Sequence, residues 1–128
     1  MSLENGDIVI ADTDTFVKHY GVTFRDREGK LMVMHNTPSK SVSIETWDSF
    51  FIDRTFNRII KTPCSGMSYN KIMSKYNEVK YKKYSIIDFD CEDFTEHITG
   101  CKIKIRQAHK YTKYFILAGL SVLFKLVV

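Results

Sequence analysis

The chain has 128 residues, among them three cysteines and four histidines, and two histidines precede one cysteine in an order that could carry thiol chemistry: His19, His35 and then Cys91. A thiol is a poor nucleophile until it is deprotonated, and the two common aids are a nearby imidazole and the partial positive charge at a helix N-terminus. Cys91 has a claim to both. Asp90 has the chemistry of a helix N-cap, which would make Cys91 the first helical residue, turn Phe94 and Ile98 inward and let Gly100 end the helix in the left-handed conformation. His19 would be the general base, and His35 would orient it and fix its tautomer as the third group of a triad does. Backbone N–H groups at the helix start, that of Cys91 included, could form part of an oxyanion hole. The plainer alternative is a small buried cysteine and two satisfied strand histidines.

These side chains need elements to hold them. Residues Gly6 to Ala11 read as a short buried strand, and Lys18 to Phe24 as a second, with Tyr20, Val22 and Phe24 on one face and His19, Gly21 and Thr23 on the other. Arg25 to Lys30 is a polar hairpin turn in which Gly29 can take positive φ. The return strand, Leu31 to His35, places Leu31, Val33 and His35 on a common face. Beyond a turn at Asn36 to Ser39, the spacing of Ile44, Trp47 and Phe51 behind a Ser43 cap predicts a short helix, with a strand as the alternative because of the β-branched content. Phe56 to Ile60 reads as a further strand stopped by Thr62 and Pro63. Tyr69, Ile72, Met73 and Tyr76 then form the stripe of an amphipathic helix.

Composition narrows the function classes. Apolar residues make up 44% and charged residues 27%, with 6 glycines and 2 prolines, so collagen-like, low-complexity and disordered readings are excluded and one packed domain is expected. An odd number of cysteines with no C-x-x-C pair suggests neither a disulfide framework nor a zinc site, and no basic-then-apolar leader is visible; both point to a reducing, cytoplasmic setting. Cys64 and Cys101 read as structural, His97 and His109 lack a partner pattern, and the acidic cluster around Cys91 matches no calcium loop. Nothing in the sequence calls for a metal or a cofactor.

The formal charge of +4 is unevenly placed. Lys102, Lys104, Arg106, Lys110 and Lys113 follow one another without an acid among them, which leaves residues 1–101 mildly acidic. This basic run leads into an apolar segment from Tyr114 to Phe124, a pattern that suits a membrane surface better than nucleic acid. As a helix, the 18 residues from Tyr111 to Val128 would extend about 27 Å at ~1.5 Å per residue, marginal against a hydrocarbon core of about 30 Å. The expected organisation is therefore a domain over residues 1–110 and a hydrophobic C-terminal segment over 111–128, either a membrane anchor or a helix that covers the core.

The blocks Gly6-Asp-Ile-Val, His19-Tyr-Gly-Val, Val33-Met-His35 and Asp90-Cys-Glu-Asp-Phe94 followed by Gly100 resemble the lecithin:retinol acyltransferase-like group. That group includes the HRAS-like suppressor phospholipase/acyltransferases and picornaviral H-box/NC-box proteins, and it is a circularly permuted relative of NlpC-type peptidases. The resemblance spans roughly Glu4 to Gly100. It implies an α+β, permuted papain-like fold with an antiparallel sheet packed on helices and a hydrophobic C-terminal helix. Carried over by residue, Cys91 becomes the nucleophile, His19 the base and later the acid, and His35 the orienting member. The implied activity is that of a membrane-associated acyltransferase or phospholipase A that takes an acyl group from a phospholipid and passes it to water or an amine. Two further readings stand beside it, an NlpC-type amidase or peptidase and a non-catalytic interaction protein. Where the family has Asn-Cys-Glu-His-Phe, this chain has Asp90 and Asp93; with Asp88 and Glu92, they should raise the thiol pKa.

Overall fold

The computed structural model describes residues 2–102, and the expected C-terminal segment at 111–128 lies outside them, as does most of the basic run. The described chain is α+β: five strands form one antiparallel sheet, and three helices pack on it. In chain order the elements are β1 (Ile8–Asp12), β2 (Lys18–Arg25), β3 (Leu31–Thr37), β4 (Ser41–Thr46), α1 (Trp47–Phe50), β5 (Thr55–Ile60), α2 (Tyr69–Val79) and α3 (Cys91–Thr99). Across the sheet the order is β4-β3-β2-β1-β5.

Alternation along β2 and its neighbours divides the sheet into two unlike faces. On one side Val22, Phe24, Met34 and Val42 meet Ile72 and Val79 of α2 and Phe94 and Ile98 of α3, which forms the main apolar core. On the other side Val9, Ala11 and Val33 meet Phe50 of α1, with Trp47, Phe51 and Ile59 around it. His19, Gly21 and His35 share this second face by strand parity. Gly21 lies opposite His35, and a Cβ there would come within 2.6 Å of the Val33 side chain and 3.2 Å of the Phe50 ring. A bare Cα at position 21 is what lets the Phe50 ring lie against the sheet.

The region after β3 departs from the expected helix. Residues 41–46 form β4, paired with β3 from Met32↔Thr46 to Thr37↔Ser41, and helical backbone begins only at Trp47. The cap is Thr46, whose Oγ1 accepts from the Ser49 N–H at 3.2 Å, in place of Ser43. Pairing to β3 outweighs the helical spacing of Ile44, Trp47 and Phe51, and Phe50 becomes the fully buried residue of the one-turn helix. The amphipathic helix is present as α2, capped by Ser68.

Candidate active site

The N-terminus of α3 is fixed by local chemistry that the sequence spells out. The Asp90 carboxylate accepts from the Asp93 N–H at 2.9 Å, and the Asp93 carboxylate accepts from the Asp90 N–H at 3.0 Å, a reciprocal capping box that makes Cys91 the first helical residue. Gly100 closes the other end with φ +72°. A second tie comes from the sheet. Asn36, fully buried on β3, donates from Nδ2 to the carbonyls of Phe89 at 3.0 Å and Asp90 at 3.3 Å. The residue that follows His35 thus holds the turn that delivers Cys91.

The β2–β3 register runs from Arg25↔Leu31 to Gly21↔His35 and stops there. Cys91 packs against Ile8, Ile10 and Tyr20 on the α3 side, while His19 and His35 belong to the Phe50 side. The three come together at the end of the sheet, where all of them line one cavity of about 680 Å³.

The imidazoles are linked. Nε2 of His19 and Nδ1 of His35 are 2.8 Å apart, with the rings edge to face at 5.1 Å between centroids. Phe50 stacks on His19 at 5.5 Å and meets His35 edge-on at 5.1 Å. Beyond His35 lies a residue that the sequence reading did not single out: Glu45 of β4, whose Oε2 is 2.6 Å from His35 Nε2, with the ring N–H aimed off the line to the oxygen. Arg54 also lines the cavity, donating from Nη1 to the Phe50 carbonyl at 2.9 Å with its guanidinium 4.9 Å from the Phe50 ring centre. A strand reading of residues 41–46 would have pointed to Glu45, because strand parity places it on the His35 face; Arg54 carries no such signal.

Burial sets the proton states. Desolvation pushes His19 well below an ordinary histidine, and the charges of His35 and Arg54 act in the same direction. Desolvation likewise takes His35 down to about 4, against the pull of Glu45. Cys91 moves the opposite way, pushed up to about 12 by desolvation and by Glu92 and Asp93, while backbone hydrogen bonding at Tyr20 and at Cys91 itself favours the thiolate. At neutral pH the cavity is therefore lined by a neutral thiol and two neutral imidazoles. Of the four acids expected to raise the thiol, Glu92 and Asp93 do so, and burial is the larger cause.

Among the described residues no hydrogen bond joins the Cys91 sulfur to either ring, so the structure brings the trio into one cavity and links two of its members directly. Of the other cysteines and histidines, Cys64 lies in the turn after β5, Cys101 follows α3, and His97 pairs with Glu78 at 2.9 Å; His109 lies outside the described residues. No group of three or more metal-ligating side chains occurs among the described residues, and none of their helices is long and apolar enough to cross a membrane. No protein-family model matches the sequence, and no curated protein or solved structure matches it.

Proposed function

We propose that this protein is a thiol acyltransferase or phospholipase A of the lecithin:retinol acyltransferase-like type, with a permuted papain-like arrangement and phospholipid esters as acyl donors. The observation that carries the reading is the convergence of Cys91, His19 and His35 on one cavity, with the two imidazoles 2.8 Å apart. In the reaction the Cys91 sulfur attacks the ester carbonyl carbon as its proton passes to His19. The carbonyl–oxygen bond to the glycerol then breaks, and the same proton goes to the leaving oxygen. Water or an amine attacks the resulting thioester, giving a proton to His19, and the thiol is restored as that proton returns to sulfur. A neutral His19 suits this sequence, since only an unprotonated ring can accept the proton.

Two features favour a phospholipid. Arg54, Lys18 and Lys40 line the cavity alongside Asp14, Glu45 and Asp53, and in our reading Arg54 is the cation that meets the phosphodiester. Phe16 and Ile52, exposed at 70% and 74%, project from the loops that edge the cavity, Ile52 as a lining residue and Phe16 between the lining residues Thr15 and Val17. Together with the apolar segment at 114–124 they support a site that works at a membrane surface on the cytoplasmic side.

One observation favours a second reading. A thiol pushed up to about 12 is consistent with a non-catalytic interaction protein that keeps the fold. The two separate on incubation with phosphatidylcholine vesicles. The enzyme releases fatty acid and lysophospholipid and gains an acyl mass on Cys91, and Cys91→Ala does neither. An unmodified Cys91 with no lipid turnover between pH 6 and 9 favours the interaction protein. Cleavage of a peptide without lipid turnover favours an NlpC-type amidase.

A further inference from the structure

The line of polar contacts does not end at His35. Glu45 of β4 lies diagonally across the sheet from it, since Val33↔Glu45 and His35↔Ser43 are the neighbouring pairs. Its two oxygens have different partners. Oε1 accepts from the Ser49 hydroxyl at 2.9 Å and has Lys40 Nζ 3.7 Å away, while Oε2 is 2.6 Å from His35 Nε2. Ser49 belongs to α1, the same single turn that sets Phe50 beneath both imidazoles. One short helix therefore fixes both the rings and the carboxylate beside them.

We propose that Glu45 is a positioning residue, whose carboxylate sets the tautomer of His35 and through it that of His19, so that His19 offers an unprotonated Nδ1 to the thiol. The inference rests on the thiol chemistry proposed above and adds to it the group that prepares the base.

The chemistry follows from counting protons. An ionised carboxylate is only an acceptor, and with its oxygen 2.6 Å from Nε2 its charge favours the proton on that nitrogen even though the N–H points off the line to the oxygen; a lone pair there would be repelled. His35 is therefore protonated at Nε2. A neutral imidazole has one N–H, which leaves a lone pair on Nδ1. The 2.8 Å contact with His19 then requires His19 to donate from Nε2, so the His19 lone pair is on Nδ1, which makes no hydrogen bond among the described residues. That nitrogen is the acceptor the thiol proton needs. When His19 takes the proton, its positive charge faces the His35 lone pair, and the Glu45 carboxylate lies behind.

The state of Glu45 agrees with this role. Burial opposes its ionisation, yet the Ser49 hydroxyl, His35 and Lys40 together hold it below the usual carboxylate range.

The test reads tautomers directly. Histidine ¹⁵N–¹H correlation spectra of the full chain at pH 7 should show His19 and His35 each protonated at Nε2 and bare at Nδ1. In Glu45→Gln, where the side-chain amide can either donate or accept, part of the His35 population should move to the Nδ1–H form and His19 should change with it. Glu45→Asp shortens the reach while keeping the charge, and should retain the wild-type pattern more closely than Glu45→Gln. If Cys91 turns over lipid, kcat should fall on the order of 100-fold in Glu45→Gln with KM little changed, as expected when a base is held in the wrong tautomer. A wild-type His19 protonated at Nδ1, or a folded Glu45→Gln with unchanged tautomers, overturns the proposal. Because the spectra need no substrate, an inert Cys91 would contradict the acyltransferase reading while leaving the tautomer result to stand or fall alone.

Discussion

The two faces of the sheet solve different problems with the same strands. Toward α2 and α3 the side chains of Val22, Phe24, Met34, Ile72, Phe94 and Ile98 make a continuous core, with the buried Asn36 as the polar exception at the end of β3. Toward α1 the Phe50 ring packs on Val9, Ala11 and Val33 and also on His19 and His35, which stand where aliphatic residues would otherwise go. The first face gives stability through area; the second gives up area in order to hold two buried imidazoles, and their lowered proton affinity is the result. Cys91 is supplied by the stable side and the base by the polar side, and they meet only where β2 and β3 cease to pair.

Phe50→Ala and Ile72→Ala compare the faces most sharply. Each removes a fully buried side chain and should cost about 3–5 kcal/mol for Phe50 and about 2–5 kcal/mol for Ile72, measured by denaturant unfolding. Below the midpoint the folded fraction of Ile72→Ala should keep the coupled His19 and His35 resonances, whereas Phe50→Ala should lose them. Equal effects on the imidazoles would mean that the faces are not separate.

The pH dependence of stability is the next largest effect. An unfolded histidine binds its proton near 6.5 and folded His35 only near 4, so on acidification the unfolded chain takes up protons first. Stability present above about pH 6.5 should drain away between 6.5 and 4, by on the order of 3 kcal/mol from His35, with His19 acting in the same direction. On the alkaline side the sign reverses. The unfolded thiol ionises near 9 and folded Cys91 near 12, so stability is intact below 9 and is lost as pH rises through that range. Midpoints of urea unfolding from pH 4 to 11 test both limbs; Cys91→Ala should flatten the alkaline one.

How far these faces could be read from the residues differs between them. The α3 boundaries were legible because the cap, the inward residues and the terminal glycine agree, and the side-by-side facing of His19 and His35 followed from strand period alone. Residues 41–51 were harder: Ile44, Trp47 and Phe51 fit a helix, and only pairing with β3, a long-range contact, turns the first part into a strand. Glu45 was hidden for that reason, since on a helix it would have had no fixed relation to His35. Asn36 was hidden because its partners are backbone carbonyls more than fifty residues away in sequence.

Asn36 gives the smallest of these effects and the most local. Asn36→Ala removes two hydrogen bonds at about 0.5–1.5 kcal/mol each, while the Phe89 and Asp90 carbonyls keep the N–H groups of Ser85 and Phe94, and should cost about 1–3 kcal/mol. Its mark should be faster amide exchange at the start of α3, with the α2 amides unchanged. Uniform acceleration would show that Asn36 supports the whole core instead of the Cys91 turn.

The most direct measurement of the central claim is the acylation rate of Cys91 by a simple activated ester at pH 7, followed by intact mass in the wild type and in His19→Ala. If a neutral His19 takes the proton from a neutral thiol, the variant should react about 100-fold more slowly or less, with the acyl group on Cys91 in the wild type. Equal rates in two folded proteins, or acylation at Cys64 or Cys101 instead, would contradict it.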